Sequence, residues 1–207
     1  MHSGGKEMGS SRVILCTGGI GSGKSCIVRA LSVMGVPAYD CDAAAKRLYE
    51  EDKDLLEEIV RAFGRDVLDA EGRLDRSALS ARIFGNEQSL RKLESIVHPA
   101  VLRDFEKWKA VRTEDLVVME SAIALEKEMF RNVADCVIAV SADRETRLTR
   151  VMERDGCSRE QAEARMTSQW PDSRREAEAD YVLITDDRHA VLPALKDIIE
   201  NERNGKN

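Results

Sequence analysis

The sequence predicts an α/β fold: five short strands in one parallel sheet, layered with helices, with two helical excursions breaking the alternation. Three observations carry this. Arg12–Thr17, Val36–Tyr39, Leu116–Met119, Cys136–Val140 and Tyr181–Ile184 are short apolar runs, as strands buried on both faces are. Helical periodicities separate them, the pattern of a parallel sheet with crossover helices. Gly18, Asp40, Glu120 and Ser141 stand where four of these runs end. Ligands in such sheets bind beyond the carboxyl ends of the strands, so one shared cleft is expected there.

The first strand runs into a Gly-rich turn. Lys24–Met34 then places Ile27, Val28, Leu31 and Met34 at helical spacing, and Gly35 ends that helix. The second strand closes on Asp40. Residues 42–112 are charged and helix-patterned, with breaks near Gly64, Gly72, Gly85 and His98-Pro99. Leu55, Leu56, Ile59, Val60 and Phe63 form one apolar stripe, and Leu90, Leu93, Ile96 and Val97 another. This stretch reads as an all-helical insertion. Further helices are expected over 123–131, 143–154, 158–169 and 189–203. Ser158/Gln161 and Ser173/Glu176 have capping-box spacing, and Pro193 marks the start or a kink of the last helix. The expected organisation is a core of 12–41, 113–150 and 177–203, the insertion 42–112, and a lid over 151–176. Residues 1–11 are polar and Gly/Ser-rich and read as a disordered leader, without the apolar centre of a signal peptide.

Composition excludes some functions. Of 207 residues, 43% are apolar, enough for a packed core. With 32 basic and 38 acidic residues the net charge is −6, which speaks against a general nucleic-acid coat. No run approaches the length of a membrane span. So neither nucleic acid nor membrane is an expected partner, and a monomer and a small homo-oligomer both stay open. The five cysteines include no CxxC pair, so they read as buried, reduced thiols of a cytoplasmic protein.

Gly18-Gly19-Ile20-Gly21-Ser22-Gly23-Lys24-Ser25 fits GxxxxGK[ST] in full. Its glycines let backbone N–H groups converge on phosphate oxygens, and the next helix offers its positive N-terminus to the same anion. Lys24 can reach the β- and γ-phosphates, and the Ser25 hydroxyl can ligate Mg²⁺. With a strand before and a helix after, this is the signature of the P-loop NTPase three-layer fold. ATP is expected on Gly19, Ile20, Gly21, Ser22, Gly23, Lys24, Ser25 and Cys26. There is no guanine-reading NKxD element, and Asp69–Gly72 matches DxxG only within the insertion, so a GTPase is not expected.

Asp40 and Asp42 supply paired carboxylates after the second strand. Phosphoryl transfer to an alcohol needs a carboxylate that orients the hydroxyl or accepts its proton; capping the next helix is the other use for them. Along an extended segment the two side chains would point the same way. Residues 143–176 hold eight arginines and no lysine. Guanidiniums bind phosphate oxygens in pairs of bonds and stabilise transition-state charge. Arg150 and Arg154, four residues apart before Gly156, are the expected phosphate contacts; Arg144, Arg159 and Arg174 are expected to be solvated.

In TGGIGSGKS (17–25), the Asp-x-Asp of 40–42, IVHP (96–99), TRLTRVMERDG (146–156), RMTSQ (165–169) and ADYV (179–182), the chain resembles the dephospho-CoA kinase family over about residues 12–203. The resemblance implies a kinase that moves the ATP γ-phosphoryl to the ribose 3′-hydroxyl of dephospho-CoA. It implies that Asp42 is the catalytic base, that Lys24 and Ser25 hold phosphate and Mg²⁺, and that Arg150 and Arg154 are lid arginines. Lys46 or Arg47 stands where the family often faces its acceptor with a basic residue, and His98 matches the family's His-Pro, although a helix boundary would explain it equally. Cys26, Ala122-Ile123-Ala124, Arg147 and Thr185-Asp186-Asp187 depart from the family pattern. Two rivals remain: a nucleoside or nucleotide monophosphate kinase on the same scaffold, and a nucleotide-dependent switch without transferase activity.

Overall fold

The computed structural model describes residues 11–186 and 188–205. Residues 1–10 of the leader expected over 1–11, and Asp187 of the Thr185–Asp187 departure from the family pattern, lie outside them. Ser11 is buried, and its hydroxyl donates to the Glu114 carbonyl at 2.7 Å. The chain divides into two compact units, 1–40 with 112–207, and 41–111.

The first unit is built on a sheet of β1 (Arg12–Thr17), β2 (Ala38–Asp40), β3 (Leu116–Glu120), β4 (Cys136–Ser141) and β5 (Tyr181–Ile184). All its pairings are parallel, in the order β2-β3-β1-β4-β5. Because the strands run one way, Gly18, Asp40, Glu120 and Ser141 stand at or just past one carboxyl edge. Asp40 and Cys16 are both in register with Glu120. Alternate residues of the central strands, Ile14, Cys16, Val118, Ile138 and Val140, meet Ile27, Leu31, Leu195 and Ile198 in one core. Those four come from α1 (Lys24–Val33) and α10 (Val191–Asn204). Pro193 sits in the first turn of α10, where its missing N–H removes no helical bond.

Helices α7 (Arg144–Asp155), α8 (Arg159–Thr167) and α9 (Asp172–Ala177) also belong to this unit. α8 starts with a complete capping box, Ser158 with Gln161. The second expected box does not form. α9 begins at Asp172 behind Pro171, which puts Ser173 inside the helix, and Glu176 instead accepts from the Ser141 hydroxyl at 2.6 Å. Nor is 123–131 one helix. A 3-10 turn at Ala124–Glu126 and a short α6 (Glu128–Arg131) are separated by extended Lys127.

The second unit contains α2 (Cys41–Glu51), α3 (Lys53–Phe63), α4 (Arg76–Ile83) and α5 (Glu87–Ala110). Leu48, Leu55, Ile59, Leu79, Leu93, Val97, Val101 and Phe105 are its buried core. Leu90, expected in the stripe, is 42% exposed. α5 does not break at His98-Pro99: Pro99 lies inside one continuous helix. Proline forfeits one backbone bond there, and the buried residues on both sides of it, Val97, Ala100 and Val101, hold the helix together across that point. Asp69–Gly72 is a surface turn. The Asp69 side chain accepts from the backbone N–H groups of Glu71 and Arg73.

Candidate active site

β1 delivers the chain to the loop 18–23, and α1 takes it away. Gly21 (φ 79°) and Gly23 (φ 91°) adopt left-handed conformations that residues with a Cβ rarely take. Gly23 is also the N-cap of α1, so the loop ends at a helix N-terminus, the positive end of the helix dipole. Ser22 is fully buried, and its hydroxyl has no partner among the described residues. The Lys24 ammonium folds back on the Gly18 carbonyl at 2.9 Å. Ser25 and Cys26 are exposed in the first turn of α1. Cys26 thus departs from the buried-thiol expectation: it lies on the side of α1 turned away from Ile27 and Leu31. Cys16, Cys41 and Cys136 are buried. Burial first, and Glu120 second, push the Cys16 thiol up to about 12, while Lys24 opposes them. One carboxylate and one ammonium therefore act at the same end of β1.

The loop is held by side chains from distant segments. The Thr185 hydroxyl donates to the Ser22 carbonyl at 2.6 Å. Arg150 donates to that hydroxyl at 2.9 Å, to the Thr185 carbonyl at 3.0 Å and to the Gly21 carbonyl at 3.4 Å. Arg154, one turn on, is 61% exposed and gripped by Asp155 at 2.7 and 2.9 Å. The structure therefore brings Arg150 to the loop and keeps Arg154 on the surface of α7. Arg144 and Arg159 pair with Glu145 and Glu163, and Arg174 stacks on Trp170 with 3.4 Å from its Cζ to the ring centre.

The residues expected to face the acceptor lie at the end of β2, in α2 and in α5. Asp40 ends β2 and Cys41 already begins α2. The extended segment expected to align Asp40 with Asp42 stops between them, because the helix starts at once. Asp42 stands in the first turn of α2, where a carboxylate is favoured by the helix dipole. Asp42 and Lys46, four residues apart, are both exposed. Arg47 is tied to Glu51 at 2.8 Å and to Asp104, which hold its pKa above the usual value. His98 is half-buried within α5.

Sequence reasoning noted Arg147 and Thr185 only as departures from the family pattern and gave neither a part in holding the loop. Arg147 is buried with Leu148 and Val151. Its position four residues before Val151, on the apolar stripe of α7, was the available signal. Thr185 had no local signal.

A phosphate loop following the central strand of a 2-3-1-4-5 parallel sheet, braced by an arginine from a later helix, places the chain among the P-loop kinases. The crystal structure of TT1252 from Thermus thermophilus superposes with a TM-score of 0.81 at 35% identity, covering 93% of this chain and 98% of that one. A dephospho-CoA kinase from Campylobacter jejuni shares the fold at TM-score 0.58 and 23% identity, covering 94% and 98%. The chain belongs to the dephospho-CoA kinase family: the family profile matches residues 12–190. A Corynebacterium diphtheriae dephospho-CoA kinase is 37% identical over 89% of this chain and 93% of its own length.

Proposed function

We propose that the protein transfers the γ-phosphoryl group of ATP to the ribose 3′-hydroxyl of dephospho-CoA, giving coenzyme A and ADP. The observation that carries this is family membership across nearly the whole chain, with the phosphate loop intact from Gly18 to Ser25. The loop suits a triphosphate: left-handed turns at Gly21 and Gly23 lead the backbone into the N-terminus of α1, whose positive end favours an anion. Lys24 supplies positive charge to the transferring group. The Ser25 hydroxyl, exposed in the first turn of α1, suits Mg²⁺ bound with the nucleotide. When bound, the ion neutralises β- and γ-phosphate charge. Asp42 orients the acceptor hydroxyl and takes its proton, with Asp40, Lys46, Arg47 and His98 as acceptor contacts. Arg150 and Arg154 belong to a lid over 151–176 and its approach helix, which keeps water from competing for the phosphoryl group. No helix among the described residues is long and apolar enough to cross a membrane; the cytoplasm is the location that a kinase of this family acting on a small-molecule substrate suits.

The test is an acceptor panel with ATP and Mg²⁺: dephospho-CoA against AMP, CMP and nucleosides. Efficient turnover of dephospho-CoA alone is expected. Preferential turnover of a nucleoside or a monophosphate would replace this reading with the nucleotide-kinase one, and acceptor-independent ATP consumption would point to the switch.

A further inference from the structure

Two buried guanidiniums stand outside the machinery assigned so far. The Arg147 side chain is 5% exposed and that of Arg175 2%. Arg147 Nε donates to the Ile20 carbonyl at 2.9 Å, and its NH1 pairs with Asp172. The Ile20 N–H is taken as well, by Gln169 Oε1 at 2.8 Å. Both polar groups of one phosphate-loop residue are therefore bound by side chains from the region of α7–α9. Asp172 also accepts from Arg175 at 3.1 Å, and Arg175 reaches Glu126 at 3.3 Å. The result is a connected line from Ile20 through Arg147, Asp172 and Arg175 to Glu126.

Burying a guanidinium costs free energy that partners only offset, and an apolar side chain on the inner face of α7 would avoid that cost. Burial, then Arg175 and Arg144, lower the pKa of Arg147 to about 10, so it stays charged at neutral pH. Gly19 gives an independent indication. A Cβ there would lie 2.7 Å from Arg147 Cζ and 3.0 Å from one of its terminal nitrogens. The guanidinium could swing aside only by giving up its bonds to Ile20 and Asp172. Gly19 is not among the positive-φ glycines. Its lack of a side chain therefore serves the approach of Arg147 rather than a backbone conformation.

We propose that Arg147 is a positioning residue for the phosphate loop: held by Asp172, it fixes the Ile20 peptide and so sets the donors that follow at 21–25 before nucleotide arrives. This rests on reading residues 18–25 as the ATP site. It is independent of which acceptor is phosphorylated. A pre-set loop binds more tightly because less order is imposed on binding.

The experiment measures calorimetric binding of a non-hydrolysable ATP analogue to the full chain without acceptor, beside thermal melting. Arg147→Met keeps length and apolar fit, and leaves Asp172 paired with Arg175. The Kd is expected to rise about tenfold, while the acceptor KM at saturating ATP moves less than about twofold. Arg147→Lys keeps the charge, but one ammonium cannot span Ile20 and Asp172, so binding stays weakened. Gly19→Ala is expected to weaken binding in the native background and to do so much less on Arg147→Met, where the obstructing group is gone. Unchanged binding in Arg147→Met, full rescue by Lys, or an equal Gly19→Ala effect in both backgrounds would each overturn the proposal. Should Arg147→Met not fold, Arg147→Gln carries the same comparisons. If the unaltered protein itself binds no analogue, the nucleotide reading fails and the proposal with it. If it binds but does not phosphorylate dephospho-CoA, only the acceptor assignment fails.

Discussion

The Thr185 hydroxyl donates to the Ser22 carbonyl at 2.6 Å and accepts from Arg150 at 2.9 Å. One oxygen thus joins the end of β5, the helix α7 and the phosphate loop. Thr185→Val keeps the shape and removes that oxygen. A neutral hydrogen bond contributes about 1 kcal/mol, so the ATP KM should rise about fivefold, with turnover at saturating ATP nearly kept. Steady-state kinetics against ATP check this; an unchanged KM would mean that the bond does not shape the loop.

Asp42→Asn keeps the size of the side chain and removes the proton acceptor. Turnover should fall by about 10²–10⁴, whereas ATP-analogue binding should stay within a few-fold, because Asp42 lies outside the loop 18–25. Near-normal turnover in this variant would remove Asp42 from the role of base.

The thiols should react very unequally. Burial raises Cys16 and Cys136 to about 12, leaving about one thiolate in 10⁴ at pH 8. Cys26 is exposed. A disulfide reagent added to the folded protein at pH 8 should therefore modify Cys26 early, and Cys16 and Cys136 only after denaturant is added. Peptide mass mapping reads the order, and early labelling of Cys16 would contradict it.

The protein should lose stability in alkali through Tyr181. Its hydroxyl donates to Glu202 at 2.7 Å, and burial, then Glu202, push it up to about 12. An unfolded tyrosine releases its proton near pH 10, whereas the folded one keeps it. The unfolded state thus binds fewer protons between about pH 10 and 12, and stability falls as pH rises through that window. Tyr181→Phe should lower Tm at neutral pH but give a shallower decline from about pH 9 to 11. Parallel Tm–pH curves for the two proteins would reject the assignment.

Much of the site was legible because its parts are contiguous. Gly18 to Ser25 needs only a strand before it and a helix after it, and both are written into adjacent residues. The Ser158 capping box was legible for the same reason, since its two members are three residues apart. The Ser173 box failed because α9 begins at Asp172 behind Pro171, two residues earlier than a cap at Ser173 implies, and Glu176 found a partner 35 residues away in Ser141. Pro99 misled in the opposite direction. Packing of Val97, Ala100 and Val101 outweighs the one backbone bond that proline forfeits.

The amino-acid sequence by itself determined the five-stranded parallel sheet, the phosphate loop and the family. All three rest on patterns within a few residues or on their order along the chain. Only the tertiary structure decided which of the eight arginines in 143–176 turn inward. Local spacing favours Arg150 and Arg154 equally, yet Arg150 reaches the loop while Arg154 stays on Asp155, and Arg147 is buried beside Gly19. The physical reason is that a guanidinium goes where acceptors are fixed for it. Ile20, Asp172 and Thr185 arrive from 127, 25 and 35 residues away, a separation that no local pattern records.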